Sequence, residues 1–476
     1  MVFWELMPRV RFAPSPTGYL HIGSARTFIF NWLYARKNNG TMILRLDDTD
    51  IERNTQVSID SIFDGLKWLG LSWDEYYRQS ERLDLHKEMA DRILAAGFAY
   101  RDFTPAQTEE EKQEDSGPWL FHPGMRELTS EESDARAAAG EPFVVRFRVP
   151  RGENKAVKFK DSVFGDQYKK ADEIEDFALL RSNGMPTYHM ASCADDVDLR
   201  IDHIIRGQDH LTNTFKHVLI FEALGGVKPK FAHLPLLIAP DGAKLSKRKH
   251  GSVVSVTTYR DAGFLPQAYI NFLCLLGWSP KNNREQMSRQ ELMDAFTFGG
   301  VNRSNAVVNF SEADPIDPKA QWLNGQHLRT MELAELLPMV RARIELEGLA
   351  IPEERFGLIV ETIRARYTSL HDFAEKGRPY FADDFATEAA AGERLDEPEA
   401  RPLLRELGAR IEGAAEFTEA SVEKILRDLA AERDVKPGVL INGSRSALTG
   451  QAVGPSAFHL FMAMGRERSV ARLKGV

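Results

Sequence analysis

Cysteine is nearly absent: Cys193 and Cys274 are the only two in 476 residues. Neither stands at a metal-ligand spacing, which argues against a disulfide framework or a structural zinc and points to a reducing compartment. Long apolar runs are missing too, and none approaches the ~20 residues that a membrane-spanning helix needs. The opening "MVFWELMPRV" has no basic segment followed by an apolar core, so it does not read as a secretory signal. Met7 offers an alternative start, which would make residues 1–6 an extension or a misassigned start. Positive charge is in deficit, with 61 Lys and Arg against 70 Asp and Glu and a net charge of −9. That argues against a uniformly basic surface, but local patches can still contact phosphates. There is no internal repeat. A hydrophobic content of 43% with 28% charged residues fits a cytoplasmic protein of enzyme size. Its length predicts about two to four domains.

What the chain does have begins with "RFAPSPTGYLHIGSARTFIFNWLYAR", residues 11–36. "VRFAP" (Val10–Pro14) reads as a short buried strand ended by proline. From Ile22 to Lys37 apolar residues recur at helical spacing, and "NNG" (Asn38–Gly40) stops the helix. "TMILRLDDTD" (Thr41–Asp50) then reads as a second strand ending in acids. Strand, glycine-bearing turn, helix, strand is a βαβ unit, which predicts a parallel sheet with a right-handed crossover. A helix N-terminus at this turn offers free N–H groups to a phosphate. Gly18 and Gly23 let a flat ligand approach the backbone, and His21 could donate to charge developing on a leaving phosphate. The competing reading is a tight turn with His21 as a surface cap.

"RLDLHKEMADRILAAG" (Arg82–Gly97) is a further amphipathic helix. Residues 104–150 are rich in Glu, Ala, Gly and Pro, and the acidic "EEEKQED" (Glu109–Asp115) reads as solvent-facing. With β-like runs at Phe143–Pro150 and Ala156–Gly165, this region reads as an insertion into the parallel-sheet domain. The α/β pattern resumes over Asp176–Leu224, and from about residue 325 the pattern is helical. The acidic, Ala-rich Asp383–Pro402 reads as a boundary between two helical modules.

A second motif decides between the two readings of the opening turn. "KLSKRKH" (Lys244–His250) follows the apolar run "HLPLLIAPDG" (His233–Gly242). A loop in which Lys244 and Lys247 flank Ser246 can close over a triphosphate. The two motifs, in this order and with an insertion between them, resemble the two signatures of class I aminoacyl-tRNA synthetases. The resemblance is closer still: "RFAPSPTGYLHIG", "RLDDTD", "PTYHMAS", "IIRGQDHLTNT" and "KLSKR" are similar to those of glutamyl-tRNA synthetases, in the same order. Weaker echoes run through Gly263–Trp278, Trp322–Leu328 and Ala447–Leu473.

The resemblance implies a Rossmann-type parallel sheet split by an α+β insertion and followed by all-helical C-terminal domains. The implied segments are a split catalytic domain at 8–98 and 187–240 and an inserted acceptor-end-binding domain at 99–186. A stem-contact domain at 241–324 follows, then helical anticodon-binding modules at 325–385 and 386–476. It implies ligation of L-glutamate to the 3′ end of tRNA(Glu) through glutamyl-adenylate, with the first step needing the tRNA. Glutamate has two carboxylates and one ammonium, so guanidinium forks and an acid are needed. Arg11 and Arg206 are the candidates for the carboxylates and Asp47 for the ammonium. Ala13 and Ser15 line the same strand end, and Tyr188 and Ser192 supply hydroxyls. By family likeness Asp209 and Leu237 lie on the adenosine side, and Pro14, Gly18, His21 and Gly23 face the nucleotide. Lys244, Ser246, Lys247 and Arg248 belong to the closing loop. His21, Gly23, Lys244 and Lys247 are the implied catalytic set.

Three departures stand out. Asp47 replaces a glutamate common in the family, and Gln208 replaces an acid. "AYRDFTP" (Ala99–Pro105) lacks the Cys-x-Cys of zinc-bearing relatives, so no zinc is expected, whereas magnesium is expected with ATP. Arg364 and Arg366 are candidates for the anticodon, with surface helix charges as the alternative. Three other functions compete. These are a glutaminyl-tRNA synthetase, a truncated relative that glutamylates a modified tRNA base, and a non-catalytic RNA-binding paralogue. "APSPTG", the long C-terminal half, and the presence of His21 and Lys247 argue against them in turn. A monomer with no membrane partner is expected.

Overall fold

A computed structural model describes residues 7–49, 54–105, 119–311 and 313–476. Residues 1–6, Asp50 at the end of the second expected strand, and Glu109–Asp115 lie outside the described residues. The chain divides into two compact units, Met1–Thr258 with Ile270–Asp317, and Tyr259–Tyr269 with Pro318–Val476.

The first unit is built on β1 (Arg9–Phe12), the helix Ile22–Lys37 and β2 (Thr41–Leu46). β1 and β2 run parallel in register from Arg9↔Thr41 to Phe12↔Leu44. Ile22, Phe28, Ile29, Phe30 and Leu33 of the helix are fully buried, which explains the apolar spacing. Asn31 ties the helix to the sheet by donating to the Ile205 carbonyl at 3.0 Å. Arg36 and Lys37 in the last turn suit the negative end of the helix dipole.

The sheet also takes β3 (Glu75–Arg78), β9 (His203–Gly207) and β10 (Lys230–Leu234), all parallel. Its order is β3-β2-β1-β9-β10-β6-β7, where β6 is Ala156–Asp161 and β7 is Gly165–Lys170. The chain leaves β1 toward β2 and β3 on one side and returns through β9 on the other. The switch point thus lies between β1 and β9, and in open parallel sheets a ligand crevice forms there at the carboxyl ends.

One expectation about the insertion needs correction. Residues 99–186 do not form one separate piece, because the β6–β7 hairpin joins the catalytic sheet through β10. The cause is apolar: Val157 and Phe159 are buried, and the Phe159 ring packs on Phe215 and Phe231 at 5.1 and 5.3 Å. The separate sheet is only β4 (Ala99–Asp102), β5 (Val144–Phe147) and β8 (Ala178–Leu180), paired antiparallel. In place of cysteines, Asp102 there accepts from His122 Nδ1 at 2.7 Å and Arg146 Nε at 2.5 Å.

The boundary expected at 324/325 falls instead at Asp317/Pro318. Pro318 opens a continuous helix to Thr330 with Leu323 and Leu328 fully buried, and a proline is well tolerated at a first helical position. The 241–324 domain is likewise divided, since Tyr259–Tyr269 belongs to the second unit. That unit is helical, with one continuous apolar core running from Leu265 to Leu473. The break expected at Asp383–Pro402 is occupied by the helix Ala389–Leu395, whose Ala391 and Leu395 are buried. Its Ala391 and Leu395 are buried while its acids face water, so composition alone reads as a boundary.

Candidate active site

At the carboxyl ends of β1 and β9 lies a cavity of about 500 Å³. Every site residue expected from the sequence lines it except Arg248, which is exposed on the short helix Lys247–His250.

One end of the cavity is built by the two motifs. Gly18 adopts φ +129°, a region that L side chains avoid, and a Cβ there would sit 3.0 Å from Lys247 Nζ. The distant lysine loop therefore lies directly on the early bend. Val256 N donates to the Leu20 carbonyl at 3.1 Å, which stitches the loop's far end to the same bend. Lys244 Nζ reaches Asp209 Oδ2 at 2.8 Å, so its charge is partly committed. Burial holds the Lys247 ammonium below its usual range.

His21 caps the helix Ile22–Lys37 by accepting from Gly23 N at its Nδ1, 3.0 Å away. A Cβ at Gly23 would stand 3.2 Å from that nitrogen, so glycine makes room for the cap. The accepting Nδ1 puts the proton on Nε2, where it can be donated to a ligand. Burial, and then Lys247 and Lys244, push the imidazole down to about 4, and the ring is neutral through the physiological range.

The other end holds the arginines. Arg11 Nε and Nη2 donate to the two oxygens of Asp196 at 3.1 and 3.2 Å. Its fork is thus already occupied, and among the described residues only Nη1 has no protein partner. Asp47 is held by Arg45, with Nε to Oδ1 at 2.8 Å and Nη2 to Oδ2 at 3.3 Å. Arg45 also meets Asp196 at 2.8 Å, Asp195 at 3.6 Å and the Ser192 hydroxyl at 3.2 Å. One guanidinium divided among three buried carboxylates leaves Asp47 poorly compensated, and burial pushes it up to about 6.

Arg206 differs from both. It is buried, and its nitrogens donate to Thr214 Oγ1 (2.7 Å), His233 Nε2, His217 Nδ1 and Tyr188 Oη (each 3.3 Å) and the His210 carbonyl (3.4 Å). Every one of these acceptors is neutral. Burial drives His210 down to about 4 and His217 well below its ordinary value, with Arg206 the next cause for both. Desolvation lowers Arg206 itself. Its long bonds to Tyr188 and His210, the two of these partners that line the cavity, are the ones a stronger acceptor would displace.

Sequence reasoning passed over Arg45, Asp195, Asp196 and the histidine and threonine partners of Arg206. A signal existed for two of them. Arg45 stands two residues before Asp47, on the same strand face, and Asp196 stands one helical turn after Ser192.

Residues 7–314 match the family described as class I tRNA synthetases (E and Q), catalytic domain, and residues 320–476 match an anticodon binding domain. A glutamate–tRNA ligase of Solibacter usitatus is 56% identical over 471 residues, covering 98% of each chain. A glutamate–tRNA ligase 2 of Koribacter versatilis is 45% identical, covering 98% of this chain and 97% of that protein. Among solved structures, a glutamate tRNA ligase of Elizabethkingia meningosepticum in complex with its amino acid is similar at a TM-score of 0.85. It is 30% identical and covers 98% of this chain and 99% of that one. With its catalytic and anticodon-binding parts both matched and 98% of its length shared with a relative 56% identical, the chain belongs to the glutamate–tRNA ligase family of class I tRNA synthetases.

Proposed function

We infer that this chain joins L-glutamate to the 3′ end of tRNA(Glu) at the expense of ATP. The observation that carries the reading is Arg206, a buried guanidinium with no carboxylate in contact among the described residues, in one cavity with both nucleotide motifs. A glutamate carboxylate oxygen attacks the α-phosphorus, an O–P bond forms, and the bond to pyrophosphate breaks. A terminal ribose hydroxyl then attacks the acyl carbon, its proton leaves, and AMP departs. His21 Nε2–H and Lys247 are suited to the charge that gathers on the departing phosphates. Arg206, with Arg11 Nη1, suits the substrate carboxylates, and Asp47 the ammonium.

Magnesium enters with the triphosphate, whose oxygens and water supply most of its ligands. Among the described residues no group of three or more His, Cys, Asp or Glu side chains could hold it, so no step is routed through it. Of the two anticodon candidates, Arg364 is engaged with the Met331 carbonyl and Glu361, whereas Arg366 is exposed and has no ion pair among the described residues. Burial first, then Arg394 and Arg366, depress Arg445, and a positive cluster of this kind suits nucleic-acid phosphate. A cytoplasmic monomer goes with this reading.

The test is aminoacylation by the purified chain with ATP, tRNA(Glu), and either glutamate or glutamine. Charging with glutamine alone would sink the reading. Two smaller effects are expected. Asp47 takes up a proton as pH falls through about 6 and loses its attraction for the ammonium. The KM for glutamate should therefore rise below that pH, and Asp47→Asn should flatten the profile. Gly18→Ala combines a strained φ with a clash at Lys247 Nζ. It should raise the KM for ATP about tenfold, a strain of about 1–3 kcal/mol spread over the bend, with the KM for glutamate little changed.

A further inference from the structure

The bonds around Arg206 continue outward, beyond the cavity. His233 is fully buried and does not line it. Its Nδ1 lies 2.6 Å from Asp161 Oδ2, and its backbone N–H donates to the same oxygen at 3.1 Å. Asp161 is itself buried, and its other oxygen accepts from Val163 N and Phe164 N, both at 2.9 Å. A carboxylate only accepts, so the Nδ1 of His233 carries the proton and its Nε2 is left as an acceptor. That Nε2 takes the Arg206 Nε–H at 3.3 Å and lies 3.0 Å from the Thr214 hydroxyl.

We propose that Asp161, acting through His233, is the positioning residue that keeps the Arg206 fork aimed for the substrate carboxylate. This rests on the reading of the cavity as the glutamate site. It also gives the edge hairpin a task, since Asp161 ends β6 where β6 pairs with β10. The mechanism is one of tautomers. In Asp161→Asn, an amide N–H turned toward Nδ1 forces the imidazole proton onto Nε2, which then meets the Arg206 Nε–H as donor against donor. Arg206 must turn or lose a bond. Neither residue touches substrate, so the effect appears in the amino-acid site and leaves the nucleotide end alone.

The experiment is steady-state aminoacylation by the full chain with D161N, H233Q, H233L and the D161N/H233Q double variant, each checked by thermal melting. D161N and H233L should each raise the KM for glutamate about tenfold, the size expected for one misdirected buried hydrogen bond, with the KM for ATP unmoved. H233Q should stay near the parent, because a carboxamide offers a donor at one end and an acceptor at the other and can turn to suit either partner. Adding D161N to H233Q should then cost at most about twofold, a non-additive pair. The H233L and H233Q comparison reads the same point if D161N folds poorly. The proposal is overturned if D161N leaves the KM for glutamate unchanged, if it raises the KM for ATP equally, or if its cost is the same in the H233Q background. If the parent chain fails to charge tRNA with glutamate, the reading of the site falls. If the parent charges it and D161N matches the parent, only this inference falls.

Discussion

Arg206→Met is expected to lower kcat/KM for glutamate by about 10²- to 10³-fold while leaving the fold largely intact. Truncating one partner of a buried charge–carboxylate contact costs roughly 2–5 kcal/mol, or about 30- to 4,000-fold, and the expected loss is the middle of that span. The loss in stability should be smaller, because the groups that surround Arg206 are hydroxyl, imidazole and carbonyl. Removing the guanidinium strands no charge. It leaves neutral acceptors unpaired, at about 1–3 kcal/mol. Lysine should not rescue, since three ammonium donors cannot serve acceptors arranged around a planar fork. Kinetics at saturating ATP and tRNA, together with a melting curve, make the measurement. A variant that keeps more than a tenth of the parent's kcat/KM would remove Arg206 from the carboxylate site.

Arg45→Met should show the opposite division. Arg45 is fully buried against Asp47, Asp195 and Asp196, so its loss takes the paired counter-charge from Asp47 and leaves Asp196 to Arg11 and Asp195 to Arg82 and His86. Breaking such a group costs about 3–5 kcal/mol, or roughly 5–10 °C of melting temperature in a unit of this size. The pH dependence carries the sign. In the parent, His86 and the arginines hold Asp195 down to about 2. Its contribution is present above the ordinary carboxylate pKa and is lost as pH falls toward 2. Without Arg45 the remaining carboxylates are pushed up by burial, and the folded chain binds protons more readily than the unfolded one. The variant should therefore gain on the parent as pH falls from 8 to 5. Melting curves of both proteins at those two values decide it, and a constant gap would contradict the account.

Much of the fold could be read from local patterns. The helix Ile22–Lys37 has its expected limits, because its spacing, its basic last turn and its Asn-Gly stop are all carried by adjacent residues. The two motifs of the nucleotide end were legible for the same reason: each is contiguous, and each carries the residue types that a triphosphate needs. The hairpin β6–β7 was misplaced, since which sheet recruits an amphipathic strand pair depends on apolar partners such as Phe215 and Phe231. The stretch around Ala389–Leu395 reads as a boundary between modules because it is acidic and Ala-rich, although its apolar side is buried.

Residue type, spacing and the family resemblance together led to the expectation of a phosphate-binding bend, a lysine loop, two arginines and an acid. Tertiary structure decided how their charges are used. Arg11 and Arg206 are indistinguishable as letters, yet one meets Asp196, 185 residues away, while the other is ringed by imidazoles and hydroxyls. Whether a buried guanidinium is neutralised or left able to attract a ligand depends on which distant side chains the folded sheet brings within hydrogen-bonding reach. Local spacing contains no information about those pairings.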